Sequence, residues 1–304
     1  MTYPIRSIAL GLAELDAGDS VLRYGLDLAR RLGARLHVVH AFLPPEAALG
    51  LGAVDPMGLA LPTLTVDPGL GPDLRKTLAA RLQALLPPAE AGAETVPHLV
   101  AGTPGDALSE SARTLGADLI LIGAAQAGRL EQVLLGSTTA HVVRHAQVPV
   151  LVLRKPPRPP GTRVLLTTDL SEPSARAVEV GAAVAHTLCG GSAEYRLLCS
   201  LPPGAGDAAA AEEQPARETL RALARRLAAS GAPVAEVLRA GAPADEILAE
   251  AAAWPAELVV LGTHSRSGLS RLLLGSVAET ALRELRCSAL VVPSVLAEAE
   301  QLAA

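Results

Sequence analysis

A repeat with an offset of 139 residues constrains this 304-residue chain more than any other feature of its sequence. The segments GTPGDAL, ADLILIG, LLGS and VLVL recur in the same order, and without a gap, as GAPADEI, AELVVLG, LLGS and ALVV. Self-similarity of this length indicates a duplicated structural unit. The chain length also suits two domains of ordinary size. We therefore predict two tandem domains, covering residues 1–155 and 156–304.

The two copies differ in length near their front ends. IRSIALGLAELDAG matches TRVLLTTDLSEPSA at an offset near 156, so the first copy carries about 17 extra residues. The stretch 43–73 is rich in Pro and Gly, which predicts that the insertion is a long loop. The Pro-rich, basic segment at 154–162 predicts a stiff linker between the domains.

Each copy alternates short apolar runs with helical patterns. Ser171 is placed to cap the first helix of the second copy, and Pro173 suits its first turn. The following elements are predicted in that copy: strands at 163–169, 194–200, 235–241, 257–262 and 288–293, and helices near 212–229, at 244–253 and at 275–285. This order predicts an α/β fold, a Rossmann-like, doubly wound parallel sheet of five strands in each domain. Such sheets bind ligands beyond the carboxyl ends of the strands.

The composition narrows the possible partners. The net charge is −5 and aromatic residues make up 2% of the chain, so a nucleic-acid surface is not expected. No apolar run reaches the length of a membrane span, about 18 residues. The N-terminus lacks a signal-peptide pattern, and three cysteines form no CxxC motif. We expect a cytoplasmic protein that binds neither nucleic acid nor membrane.

The segment LGTHSRSGLSRLLLGSVAET, residues 261–280, is the most informative for chemistry. A glycine ends a strand, a loop containing Arg266 and Arg271 follows, and Gly-Ser opens a helix. Glycines and a free helix start favour the binding of a phosphate group. The alternatives are that the glycines only serve turn geometry, and that the arginines are solvated surface charges.

These residues resemble the universal stress protein family in its tandem form. The family's nucleotide loop is G-x2-G-x9-G-[ST], and the second copy has Gly262, Ser265, nine residues and then Gly275-Ser276. The first copy has Gly123, Gln126 and then Gly136-Ser137 at the same spacing. The second glycine of the motif is therefore replaced in both copies. The resemblance covers essentially the whole chain and implies an adenine nucleotide alpha hydrolase-like fold.

The resemblance implies an ATP site, with or without Mg²⁺, in the second domain. In ATP-binding members an Asp at the end of the first strand contacts the adenosine part, and Asp169 matches it. The implied cofactor-binding residues are Thr167, Thr168, Asp169, Ser200, Leu261, Gly262, Ser265, Gly275, Ser276 and Val277. ATP is not expected to be tightly bound. The alternative is that Asp169 only caps the helix that begins beside Ser171.

The first copy is expected to have lost its nucleotide site. Ala13 stands where the family has the Asp, with Glu14 and Asp16 nearby but out of register, and Ala41 corresponds to Ser200. Gln126 is bulkier than glycine and can fill the phosphate space, whereas a serine at the same place is small.

Histidines offer a weaker signal. His141 and His145 have the i, i+4 spacing of metal ligands, but no third ligand is evident, so packing or solvent-facing roles are favoured. His264 lies in the candidate loop, where it could contact a ligand, although a loop histidine needs no special role.

We therefore predict an ATP-binding regulatory or stress-response protein without a catalytic site. One alternative is an interaction module that no longer binds nucleotide, favoured by the altered glycines and Ala13. Another is a slow ATPase, although no catalytic base, nucleophile or metal-binding carboxylate pair stands out. The resemblance also implies that the last strands, at 148–153 and 288–293, pair across a pseudo-twofold axis within the chain. A homodimer and an unidentified protein partner are expected as well.

Overall fold

The structure of the chain is a computed structural model. The residues it describes are 2–16, 18–44, 70–86, 94–124, 135–202, 207–229, 233–263 and 274–299.

The described residues form ten strands and nine helices, which alternate along the chain except at one place, where two strands follow each other. The strands are β1 Ser7–Gly11, β2 Arg35–Phe42, β3 Thr95–Ala101, β4 Leu119–Gly123, β5 Val150–Leu153, β6 Thr162–Thr168, β7 Ala193–Leu201, β8 Val234–Ala240, β9 Leu258–Gly262 and β10 Ser288–Val292. The helices are α1 Ser20–Leu32, α2 Leu70–Leu85, α3 Pro104–Thr114, α4 Ser137–His145, α5 Glu172–Leu188, α6 Asp207–Ala228, α7 Pro243–Ala253, α8 Ser276–Glu284 and α9 Ser294–Ala299.

The chain divides into two compact units, residues 6–117 and residues 1–5 with 118–304. In the first unit, β3, β2 and β1 are hydrogen-bonded in that order, and both pairs are parallel. Asp19 caps α1 by accepting hydrogen bonds from two backbone N–H groups, and Gly33 ends the helix in the left-handed conformation. Side-chain capping and a C-terminal glycine are the expected boundaries of such a helix.

In the second unit the strand order is β4-β5-β10-β9-β6-β7-β8. All neighbours are parallel except β5 and β10, which are antiparallel. From β6 the chain builds outward to β7 and β8 on one side, and then to β9 and β10 on the other. The strand order therefore reverses between β6 and β9, which is the switch point of a doubly wound sheet. The predicted Rossmann-like α/β fold is confirmed.

The pairing of the last strands, predicted from the resemblance, is present. Leu151 in β5 lies opposite Leu290 in β10, and Val150 and Val152 lie opposite Val291 and Ala289. Leu151 and Leu290 are counterparts in the repeat, because they are 139 residues apart. The two strands are thus related by a local two-fold axis through this pair.

Sequence patterns located the strands of the second copy within about one residue, the usual scatter of element boundaries. Two predictions need correction. The predicted loop at 43–73 ends earlier, since α2 begins at Leu70, while residues 45–69 lie outside the described residues. Gly71 and Pro72 suggested a loop, but proline is tolerated in the first turn of a helix. The helix predicted near 212 begins at Asp207 and contains Pro215.

Candidate functional site

The carboxyl ends of β6 and β9 open into a cavity of about 280 Å³ at the switch point. The helices that follow these strands, α5 and α8, contribute their first turns to its wall. The cavity is lined by Thr167, Thr168, Asp169, Ser174, Leu198, Ser200, Pro243, Ile247, Leu261, Gly262, Thr263, Gly275, Ser276, Val277 and Ala278. This is the place where open α/β sheets bind ligands.

Nine of the ten residues predicted for the nucleotide site line this one cavity, although they come from four separate segments. The tenth, Ser265, lies outside the described residues, as do Gln126, His264, Arg266 and Arg271. Sequence reasoning missed the contributions of Ser174 and of α7, through Pro243 and Ile247. A signal was available, because α7 follows the third strand of the repeat, whose carboxyl end reaches the same edge of the sheet.

The connection from β6 to α5 is held by short polar side chains. Asp169 Oδ1 accepts hydrogen bonds from Ser171 N–H at 2.9 Å and Ser171 Oγ at 2.6 Å. Ser171 Oγ accepts in turn from the N–H of Ser174 and caps α5, as predicted. Ser174 Oγ donates to Thr168 Oγ1 at 3.2 Å. Asp169 therefore does not itself cap the helix: the N-cap is Ser171, and Asp169 binds Ser171 in the turn before α5.

Leu170, between Asp169 and Ser171, has a φ of 64° and is the only non-glycine residue with positive φ in the described part of the chain. Its N–H donates to Thr168 Oγ1 at 3.0 Å. A branched side chain in this conformation is strained, and such strain often marks a functional turn. Here it fixes the direction in which the chain leaves β6 beside the cavity.

The connection from β9 to α8 leaves the start of a helix against the cavity. Gly275 is the N-cap of α8 and makes no side-chain capping hydrogen bond. Its N–H donates to the carbonyl oxygen of Thr263 at 3.0 Å, and a Cβ placed on it would stand 3.3 Å from the same oxygen. The first N–H groups of a helix have no partner within the helix and carry partial positive charge. This end of α8 is therefore suited to an anion.

The third helix at the cavity, α7, also begins without a side-chain cap. Below the cavity it is anchored by Glu250, which is 2% exposed and accepts hydrogen bonds from Arg196 Nη1 at 2.5 Å and Arg239 Nη2 at 2.8 Å. Burial raises the pKa of Glu250, but the two arginines outweigh it and the pKa lies below its usual value. This ionised cluster fixes α7, and so the position of Ile247, against β7 and β8.

The corresponding region of the first copy is built differently. Ala13 is exposed and carries no carboxylate, whereas Gly136 caps α4 with nearly the same backbone angles as Gly275. The first copy therefore repeats the helix start that begins at Gly275, but it has no counterpart of the Asp169 carboxylate.

The two histidines with metal-ligand spacing interact with each other. The rings of His141 and His145 stack with centroids 4.2 Å apart, and the Nδ1 atom of His145 lies 2.8 Å from the carbonyl oxygen of His141. Within the described ranges, no three His, Cys, Asp or Glu side chains form a group that could hold a metal ion.

Comparison with known families explains the shared architecture of the two copies. The family model described as the universal stress protein family matches residues 4–154 and again residues 161–293. The chain belongs to the universal stress protein family. The double match shows that it carries two tandem domains of the family, which agrees with the internal repeat.

Curated relatives and solved structures are consistent with this family and fold. A universal stress protein of Mycobacterium tuberculosis is 31% identical over 210 residues, covering 64% of this chain and 67% of that protein. Universal stress protein E of Escherichia coli K12 is 29% identical over 210 residues, covering 62% of this chain and 65% of its own length. A crystal structure of a protein of unknown function from Pseudomonas aeruginosa PAO1 superposes over 98% of this chain and 97% of its own, with a TM-score of 0.69 and 21% identity. At that identity the structure supports the fold alone.

In the parts of the chain that the structure describes, no helix combines the length and apolarity needed to cross a membrane.

Proposed function

We propose that this universal stress protein binds ATP in the cavity of its second domain and acts as a regulatory protein of the cytoplasm. The observation that carries the proposal is the convergence of Asp169 with the uncapped start of α8 in one cavity at the switch point. An acidic hydrogen-bond acceptor and a helix N-terminus complement the two ends of a nucleotide, its sugar hydroxyls and its phosphates.

The residues present fit such a ligand. Gly275 accommodates the close Thr263 carbonyl oxygen, which a Cβ would crowd, and it places the start of α8 in the cavity wall without a side chain of its own. Asp169 would contact the adenosine part, as the family resemblance implies, while Gly275 and Ser276 would hold phosphate oxygens, with or without Mg²⁺. ATP would then favour whichever conformation binds it better, and so change the choice of protein partner.

Calorimetric titration with ATP tests the proposal. We expect one equivalent bound per chain, with binding abolished by Gly275→Glu and weakened by Asp169→Ala. Losing a hydrogen bond to a charged group costs on the order of 1–3 kcal/mol, which weakens binding by about fivefold to 150-fold. Ser171→Ala is the matched control, because it removes the helix cap and leaves the carboxylate. Two equivalents would contradict the proposed loss of the site in the first domain.

The second candidate is an interaction module that has abandoned nucleotide. It is favoured by the replacement of the motif's second glycine by Ser265 and Gln126, and by Ala13. Absence of both binding heat and a thermal shift at millimolar ATP would refute ATP binding and favour this second candidate. Phosphate release above that of a protein-free control would instead favour a slow ATPase.

We also propose that two chains associate into a homodimer, because an aliphatic sheet edge left bare is prone to pair with another chain. Sedimentation velocity at micromolar concentration measures this directly, and a single species of one chain's mass would contradict it.

A further inference from the structure

The cavity proposed to hold the nucleotide has two chemically different ends. At one end the start of α8 forms the wall, with Gly275 as its N-cap. At the other end the wall is largely apolar, because it is formed by Leu198 of β7 with Pro243 and Ile247 of α7. Asp169 follows β6, which lies between β9 and β7 in the sheet. With phosphates at α8 and the sugar near Asp169, the base of a nucleotide would lie at the end formed by β7 and α7.

Ser200 supplies a hydroxyl at this apolar end. It lies two residues after Leu198 on β7, so the two side chains are on the same face of the sheet, and both line the cavity. The Oγ atom of Ser200 donates a hydrogen bond to the carbonyl oxygen of Gly241 at 2.9 Å. A hydroxyl has one proton and two lone pairs. Because the proton is used in the bond to Gly241, Ser200 can offer a ligand an acceptor without breaking that bond, but not a donor.

Two neighbouring groups in the wall have the same character. Thr167 of β6 also uses its hydroxyl proton within the protein, since Oγ1 donates to the carbonyl oxygen of Val260 at 2.8 Å. Pro243 is the first residue of α7 and has no backbone N–H, so this helix presents a ring to the cavity where another residue would present a donor. This end of the cavity therefore favours a base that brings its own hydrogen-bond donor.

Among the purines, adenine carries an amino donor at ring position 6, where guanine and hypoxanthine carry a carbonyl acceptor. We propose that Ser200 is a specificity-determining residue, whose Oγ accepts a hydrogen bond from the amino group of adenine and so selects against a purine with a carbonyl at that position. The carbonyl would face the lone pairs of Ser200 and remain without a partner, which is how a site with a placed polar group rejects a close analogue. This inference rests on the proposed binding of a nucleotide in the cavity.

ATP and inosine triphosphate (ITP) are matched probes, because their bases differ only at position 6 and in the proton on the neighbouring ring nitrogen. Calorimetric titration of the full chain gives a Kd for each. We expect the wild type to bind ATP more tightly than ITP. In Ser200→Ala the ratio of the two Kd values should fall by about twofold to tenfold, the range of one neutral hydrogen bond.

Two further variants separate recognition of the base from support of the fold. Ser276→Ala makes the same change at the opposite end of the cavity, so it should weaken ATP and ITP alike and leave their ratio unchanged. Ser200→Thr keeps the hydroxyl and should keep the preference for ATP.

The ratio of the Kd values also decides against the proposal if it is wrong. A purely structural role of Ser200, through its bond to Gly241, would weaken both nucleotides equally in Ser200→Ala. An unchanged ratio in that variant, or equal affinity of the wild type for ATP and ITP, would overturn the role of Ser200 while nucleotide binding stands. A wild type that binds neither nucleotide would refute the proposed function itself, and this inference with it.

Discussion

The carboxylate of Asp169 accepts a hydrogen bond of 2.6 Å from the hydroxyl of Ser171, at the entrance to α5. The same hydroxyl caps the helix by accepting from the N–H of Ser174. The residue proposed to hold the nucleotide is therefore also part of the turn that starts the helix. Its two roles are compatible, because the turn and the cavity lie side by side.

Ser171→Ala separates these roles. Loss of the cap should lower the free energy of unfolding by about 1 kcal/mol, the usual cost of removing a serine N-cap. ATP binding should be retained, because the Asp169 carboxylate is intact. Urea unfolding and calorimetry measure the two effects. Loss of binding at unchanged stability would mean that Ser171 itself contacts the ligand.

The junction between β5 and β10 depends on Leu151 and Leu290, which face each other and are both fully buried. Either leucine changed to alanine should cost about 2–5 kcal/mol in unfolding free energy. The double variant should cost less than the sum of the two, because the deletions open one shared cavity.

The double variant Leu290→Ala with Leu197→Ala is the control for the non-additive cost expected at this junction. Leu197 is equally buried but lies three strands away in the sheet, so those two costs should add. Additive costs for Leu151 and Leu290 would contradict their packing against each other.

Gly181 in α5 allows the helix to lie close against β9 and β10. A Cβ at this position would overlap Cγ1 of Val260 and stand 3.2 Å from Cγ2 of Val292. Gly181→Ala should therefore destabilise the protein by about 1–3 kcal/mol through overpacking, despite a helix-propensity gain of up to about 1 kcal/mol. Thermal and urea unfolding measure the balance. In a Val260→Ala background the same substitution should cost less, and an equal cost would exclude the overlap as its cause.

The first unit contains a histidine pair that makes its stability depend on pH. His37 Nδ1 and His98 Nε2 are 2.9 Å apart. Burial lowers the pKa of both rings. The pKa of His37 is lowered further by the nearby positive charges of His98 and Arg35, while the negative charge of Glu94 raises it by a smaller amount. A lowered pKa in the folded state means that the unfolded chain binds more protons. Stability should therefore be full above pH 6.5, the ordinary histidine pKa, and fall as the pH decreases below it.

Urea unfolding at pH 7.5 and 5.5 measures this dependence. His98→Gln keeps a hydrogen-bonding side chain beside His37 and removes one titrating ring, so it should lose less stability between the two pH values. An equal loss in the variant and the wild type would place the pH sensitivity elsewhere.

Much of the candidate site could be predicted from the sequence. In a parallel sheet the strand ends meet at one edge, so residues such as Asp169, Ser200 and Gly262 converge wherever the strands are correctly located. The contributions of Ser174 and Ile247 are harder to predict, because they come from helices whose orientation depends on packing, although the place of α7 after the third strand was a signal for Ile247. The start of α2 was missed because Pro72 has the same local signature in a loop and in a first helical turn.

The sequence by itself determined the duplication, the alternation of strands and helices, and the unequal chemistry of the two copies, because these depend on residue types at fixed spacings. The tertiary structure alone decided that Asp169 binds Ser171, that Leu170 takes the left-handed conformation, and that Leu151 meets Leu290. These features depend on how closely side chains from distant segments approach each other, a balance of packing and hydrogen bonding that no local pattern records.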